Sequence, residues 1–135
     1  YTQDLDSESI PAYERVRAQL QAADAVLIVS PEHNRSMPAA VKNLLDFASR
    51  PAGKSLWGGK KTAVITASPG SYGGINSGLH IRQSLQAMSA DVMIAPEVFL
   101  SRAHTALADG QVSDARTAAF LNKFAAAFYA WAQAE

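Results

Sequence analysis

Residues 25–38 read Ala25-Val26-Leu27-Ile28-Val29-Ser30-Pro31-Glu32-His33-Asn34-Arg35-Ser36-Met37-Pro38. The first five are apolar without alternation, which is what a strand covered by helices on both faces requires. We read 25–29 as a central parallel strand. The nine residues after it are polar and proline-flanked, a long connection that leaves the strand and leads toward a helix.

Working outward, the neighbouring segments read as helices. Upstream, Ser9-Ile10-Pro11 opens a helix, with Ser9 as its cap and Pro11 tolerated in the first turn, and Tyr13, Val16 and Leu20 fall on one face. Downstream, Ser36-Met37-Pro38 repeats the start signal. Val41, Leu44, Leu45 and Ala48 then mark an amphipathic helix that stops by Pro51.

A Gly58-Gly59-Lys60-Lys61 loop leads into Thr62-Ala63-Val64-Ile65-Thr66-Ala67, a second buried strand rich in β-branched residues. Beyond a glycine-rich stretch, Ile81, Leu85 and Met88 mark a third helix, and Val92-Met93-Ile94 a strand before Pro96. An Asp109-Gly110 turn and a Ser113 cap introduce a closing helix striped by Leu121, Phe124, Phe128 and Trp131.

Alternating helices and strands require crossover connections between parallel neighbours, so the fold class is α/β, a doubly wound parallel sheet with helices on both faces. A length of 135 residues with 48% apolar composition supports one domain spanning 1–135.

Composition narrows the function. Twelve basic residues balance twelve acidic ones, so no net field favours nucleic acid or an anionic membrane, and a ligand must be recognised locally. With no cysteine there is no disulfide scaffold, thiolate nucleophile or iron–sulfur cluster, and a cytoplasmic setting is favoured. Apolar runs fall far short of the roughly 20 residues of a membrane-spanning helix. The start at Tyr1 has no signal-peptide character, and an upstream segment is expected.

In open α/β sheets ligands bind beyond the carboxyl ends of the strands. Two connections there stand out, Ser30 to Pro38 after the first strand and Ser68-Pro69-Gly70-Ser71-Tyr72-Gly73-Gly74 after the second. Glycines let the backbone approach a flat ligand, and exposed N–H groups donate to ring acceptors. Either loop alone reads equally well as ordinary punctuation of a strand–helix connection. Two on one sheet edge favour a planar, acceptor-rich heterocycle.

The pattern Ser30-Pro31-Glu32-His33-Asn34-Arg35-Ser36-x-Pro38, then Lys42-Asn43-x-x-Asp46 and Ser49-Arg50-Pro51, resembles the flavin loop of the NADPH-dependent FMN reductase family. The likeness continues through Ala67-Ser68-Pro69-Gly70, Gly73-Gly74, the stretch from Leu79 to Gln83, and Pro96-Glu97-Val98-Phe99. It implies a flavodoxin-like fold and an enzyme that passes electrons from NADPH or NADH through FMN to a quinone, a free flavin, an azo compound or a metal oxyanion. The flavin carries the hydride chemistry, so no catalytic side chain is required.

By that resemblance Pro31, Glu32, His33, Asn34, Arg35 and Ser36 border the cofactor on one side. Ser68, Pro69 and Gly70 approach its pyrimidine end, and Tyr72, Gly73 and Gly74 shape the same wall. His33 stands where the family ordinarily has Tyr, keeping a flat ring and adding a titratable nitrogen. The resemblance also implies a first β-α-β portion with a phosphate-gripping loop ahead of Tyr1. A molecule starting at Tyr1 would expose an apolar edge at 25–29 and lack that anchor.

Other readings stand beside these. Arg35 either attracts nicotinamide-nucleotide phosphates or is a solvated loop charge. Ser36 reads as a helix cap before a ligand, and Tyr72 equally as a flank of the ring or as scaffold packing. Trp57 and Trp131 read as packing residues. His33, His80 and His104 lack metal-ligand spacing. The resemblance implies a homodimer or homotetramer, with Arg82 as an inter-subunit ion-pair residue or a plain surface arginine. The rival functions are a non-enzymatic flavodoxin-like electron carrier, disfavoured by the neutral charge balance, and a cofactor-free scaffold.

Overall fold

The computed structural model describes residues 1–134. A 3-10 turn at Gln3–Ser7 precedes α1 (Pro11–Ala22), β1 (Ala25–Pro31), α2 (Ala39–Ala48), β2 (Lys61–Ala67), α3 (Ile75–Ala87), β3 (Asp91–Val92) and β4 (Val98–Leu100). Then come α4 (Ala103–Ala106), the hairpin strands β5 (Leu107–Ala108) and β6 (Gln111–Val112), and the long α5 (Ala115–Gln133). The expected α/β alternation is present. No helix among the described residues is long and apolar enough to cross a membrane.

β2 is the axis of the sheet. Along one edge it pairs with β1 in parallel, from Ala25 opposite Lys61 to Pro31 opposite Ala67. Its other edge is shared by β3, at Lys61 and Thr62, and β4, from Ile65 opposite Val98 to Ala67 opposite Leu100. Because every pairing is parallel, the connections leaving β1, β2 and β4 gather at one end of the sheet.

Side chains alternate across the strands, and each face has its own core. On one face Ile28 and Val64 pack with Leu20, Leu45, Phe47, Trp57, Ile81 and Leu85 from α1, α2, α3 and the segment after α2. Trp57 is fully buried, and its indole N–H donates to the Leu45 carbonyl at 3.1 Å. On the other face α5 places Phe124, with Leu121, Phe128 and Trp131 around it, against Ala63, Met93 and Val98. β2 is thus covered on both sides, with α5 and its predicted stripe forming one layer.

Among the described residues β1 pairs on one side only, and Leu27 and Val29 are 40% and 64% exposed, the apolar edge expected at 25–29 for these residues, because α5 lies over β2 and β4. Several local expectations are corrected. The predicted strand 92–94 breaks after Val92. Pro96 has no N–H to donate, the chain swings out at Ile94, and pairing with β2 resumes at Val98. Arg82 is not a plain surface arginine: it is buried, and its Nη1 donates to the Met93 carbonyl at 2.7 Å, with Glu97 3.7 Å from its Nε.

Ser9, Ser36 and Ser113 do not cap helices. α1 and α2 begin after Ile10 and Pro38 without side-chain caps, and α5 is capped by Asp114, whose carboxylate accepts from the Thr117 N–H at 2.7 Å.

Candidate functional site

The loop after β1 closes on itself. The His33 N–H donates to the Ser36 carbonyl and the Ser36 N–H to the His33 carbonyl, both at 2.9 Å. Between them Asn34 and Arg35 have φ of 47° and 67°, the left-handed sign that two-residue hairpin turns demand. Asparagine takes this conformation readily; for arginine it is unusual and has to be held by its surroundings. Two contacts hold it. The Arg35 guanidinium lies 5.3 Å from the centroid of the Tyr72 ring, and Ser36 Oγ is 3.0 Å from His80 Nδ1 on α3.

The loop after β2 is fixed from below. Thr66, fully buried, donates its hydroxyl to the Gly73 carbonyl at 2.8 Å. The Ser68 N–H donates to the Leu100 carbonyl, and the Gly70 and Ser68 carbonyls accept from the Arg102 and Ala103 N–H groups, each at 3.0 Å. Gly73 has φ of 62°, and a Cβ there would lie 2.4 Å from the Phe99 carbonyl carbon. A Cβ at Gly78, in the first turn of α3, would lie 2.7 Å from the Phe99 ring. These glycines let the loop and the helix start settle on β4.

Glu32 joins the two loops. Its Oε2 accepts from the Asn76 N–H at 2.9 Å and the Ser77 N–H at 3.2 Å, at the start of α3. Ser77 returns the link, its hydroxyl donating to the Pro31 carbonyl at 2.9 Å.

The twelve residues singled out in the sequence therefore fall at one end of the sheet. Pro31, Glu32, His33, Asn34, Arg35 and Ser36 leave β1, and Ser68, Pro69, Gly70, Tyr72, Gly73 and Gly74 leave its parallel neighbour β2. Arg35 and Tyr72 meet across the gap. His33, Asn34, Arg35 and Tyr72 are exposed, whereas the Glu32 carboxylate is turned onto α3. Sequence reasoning missed Thr66, Asn76, Ser77 and His80. The adjacent small residues Ser77 and Gly78 were the only available sign of a helix start packed close to strands.

The donor set suits a flat, acceptor-rich ring. Among the described residues the N–H groups of Asn34, Ser71, Tyr72 and Gly73 have no protein acceptor, and they lie in the two loops that leave the neighbouring strands β1 and β2. An isoalloxazine offers ring carbonyls and nitrogens to such donors. No three His, Asp or Glu among the described residues gather to hold a metal ion.

Comparison with known proteins gives the family and the fold. The model of the NADPH-dependent FMN reductase family matches residues 1–105. A quinone reductase of Pseudomonas putida is 40% identical over 132 residues, covering 97% of this chain and 71% of that protein. A 2-hydroxy-1,4-benzoquinone reductase of a Burkholderia species is 37% identical over 132 residues, covering 97% and 72%. In three dimensions the chain superposes on FerB, a flavoenzyme NAD(P)H:(acceptor) oxidoreductase from Paracoccus denitrificans, with a TM-score of 0.89 and 36% identity over 98% of this chain and 74% of that one. The flavin-loop pattern, the parallel sheet that presents it and these similarities lead to one conclusion: the chain belongs to the NADPH-dependent FMN reductase family, oxidoreductases that use FMN with NAD(P)H as electron donor.

Proposed function

We propose that this protein passes electrons from NAD(P)H through FMN to a small quinone, and that the loops after β1 and β2 hold the isoalloxazine. The observation that carries this is the convergence of two backbone-donor loops, one walled by close-packed glycines, at the carboxyl end of neighbouring parallel strands. The quinone is favoured by the relatives, two of which are named for quinone reduction. Bound FMN supplies the hydride-accepting and electron-passing chemistry, so the chain needs no acid–base pair of its own.

In this reading each residue binds or orients. His33 and Asn34 border the ring with a flat side chain and a free backbone N–H. Ser68, Pro69 and Gly70 face its pyrimidine end, and Gly73 and Gly74 keep the wall low enough for close approach. Arg35 offers its charge to donor phosphates at the mouth, Tyr72 flanks the ring, and Ser36 fixes the loop to His80.

The reading extends to assembly and compartment. We place the protein in the cytoplasm as a homodimer or homotetramer; Ile94, 85% exposed, and half-exposed Leu79 offer an apolar patch for a second copy. Sedimentation velocity reads the assembly directly.

The test of function is a visible spectrum of the purified native protein, an FMN titration, and NADPH oxidation with 1,4-benzoquinone as acceptor. Flavin bands, stoichiometric uptake and a ping-pong pattern are expected, since donor and acceptor use one face in turn. Absence of flavin uptake would sink the reading. Uptake with no quinone turnover would remove the quinone and leave the flavin site.

A further inference from the structure

We propose that Glu32 is a positioning residue, whose carboxylate sets the separation of the two cofactor loops without touching the flavin. The inference rests on the flavin site proposed above and assigns the role of one residue within it.

The first four N–H groups of a helix have no intrahelical acceptor, so each has to be accounted for. In α3 the first intrahelical bond runs from the Gly78 N–H to the Gly74 carbonyl at 3.0 Å, and of the donors before it the Ile75 N–H finds the Tyr72 carbonyl at 3.2 Å. The residue in the capping position, Gly74, has no side chain to offer and sits at φ of 79°. Asn76 and Ser77, the second and third residues of the helix, both donate to Glu32 Oε2, from a loop 44 residues earlier in the chain than Asn76. Glu32 is thus the N-cap of a helix in which it does not lie.

This cap cannot be replaced locally. Gly74 has to be glycine, because a Cβ there would meet Thr66 Cβ at 3.0 Å in a left-handed backbone. A serine or aspartate in the ordinary capping position is therefore excluded, and the acceptor comes from the neighbouring loop. The positive end of the α3 dipole faces the Glu32 carboxylate, which accepts both N–H groups.

The consequence for the site is geometric. Glu32 immediately precedes the His33–Ser36 turn, and Asn76 lies two residues beyond Gly74. Ser77 Oγ donating to the Pro31 carbonyl at 2.9 Å fixes the same junction on its other side. Without the carboxylate, two N–H groups lose their acceptor and the first loop loses its tie to α3. The carboxylate is turned onto the helix start rather than toward the proposed ring position.

The test compares the native protein with Glu32→Gln and Glu32→Ala. FMN affinity is measured by fluorescence quenching, the midpoint potential of bound flavin is recorded, and amide hydrogen exchange at Asn76 and Ser77 is followed in the apoprotein. The side-chain amide oxygen introduced by E32Q accepts the same two bonds, so this variant retains FMN affinity within about threefold, amide protection and the native potential. E32A loses protection at both amides and binds FMN about tenfold or more weakly. If E32A does not fold, E32Q decides alone.

Three results overturn the proposal: native affinity in E32A, an E32Q variant as impaired as E32A, or a shifted flavin potential in E32Q, which would mean that the charge acts on the ring. A native protein that takes up no FMN fails the flavin reading instead. Amide protection in the apoprotein still reports whether Glu32 caps α3.

Discussion

At the scale of single residues, the site is shaped as much by what is missing from side chains as by what they carry. Gly73 and Gly70 lie in the same loop, yet they answer to different constraints. A Cβ at Gly73 would meet the Phe99 backbone carbon and oxygen at 2.4 Å in a left-handed conformation, whereas at Gly70 it would meet only Ser68 Oγ at 3.4 Å. Backbone atoms of a paired strand cannot move aside as a hydroxyl can. Gly73→Ala is expected to destabilise the protein by about 1–3 kcal/mol and to weaken FMN uptake. Gly70→Ala should stay within about 0.5 kcal/mol of native stability. Urea denaturation and an FMN titration check both, and equal behaviour of the two variants would refute the distinction. The glycines themselves were legible in the sequence, but their different reasons were not, because Phe99 approaches from a strand outside the loop. The same holds for Ser36. It reads as a helix cap from its neighbours, and its hydroxyl instead finds His80, 44 residues away, because Pro38 is the residue from which α2 starts.

At the scale of elements, periodicity identified every long helix and both long strands, since burial on one stripe or on both faces leaves a mark in the sequence. Ends were less legible, because a cap is decided by backbone geometry at one residue. At the start of α5 the sequence offers Ser113 and Asp114 side by side. Ser113 turns its hydroxyl to the Ala106 carbonyl at 3.2 Å, tying the helix entry to α4, which leaves Asp114 to cap. Hydrogen bonds from the Thr117 side chain and then its backbone N–H hold the Asp114 carboxyl below its ordinary range. A lowered folded-state pKa means that the unfolded chain binds the proton more readily. The stabilisation is therefore complete above the ordinary aspartate range and is lost as pH falls through the folded-state value. Asp114→Ala is expected to lower the urea midpoint at neutral pH, and the gap to native protein should narrow progressively as pH falls below the ordinary aspartate value of about 3.9. A gap that does not narrow at all on acidification would show that the carboxylate is not the stabilising group. Arg17 illustrates a tie with no sequence signature: it donates to the Phe47 and Ala48 carbonyls at 3.2 Å, closing the C-terminal end of α2 from α1.

At the scale of the whole molecule, the parallel sheet was legible because alternating helices and strands leave few ways to connect neighbours. The break between β3 and β4 was not, since it depends on how Pro96 and buried Arg82 route the chain between two short pairings with β2. Charge is the other global property, and it carries a prediction about the donor. With 12 basic and 12 acidic residues the molecule has no net field, so attraction of anionic NADPH has to come from groups near the site. Arg35 is the exposed cation in the loop after β1, resting 5.3 Å from the Tyr72 ring centroid. An exposed cation–π contact is worth about 0.5–1 kcal/mol, less than the roughly 1.5–3 kcal/mol of a hydrogen bond to a charged group, so a phosphate can draw the guanidinium off the ring. Raising ionic strength from about 0.01 to about 0.15 M shortens the screening length from roughly 30 to 8 Å. Over that range kcat/KM for NADPH should fall severalfold in the native enzyme, kcat/KM for uncharged benzoquinone should stay level, and Arg35→Gln should remove most of the NADPH slope. Steady-state kinetics at several salt concentrations decides it: an unchanged slope in Arg35→Gln would return Arg35 to a solvated loop charge, and a slope shared by the quinone would place the salt effect on the fold rather than on the donor.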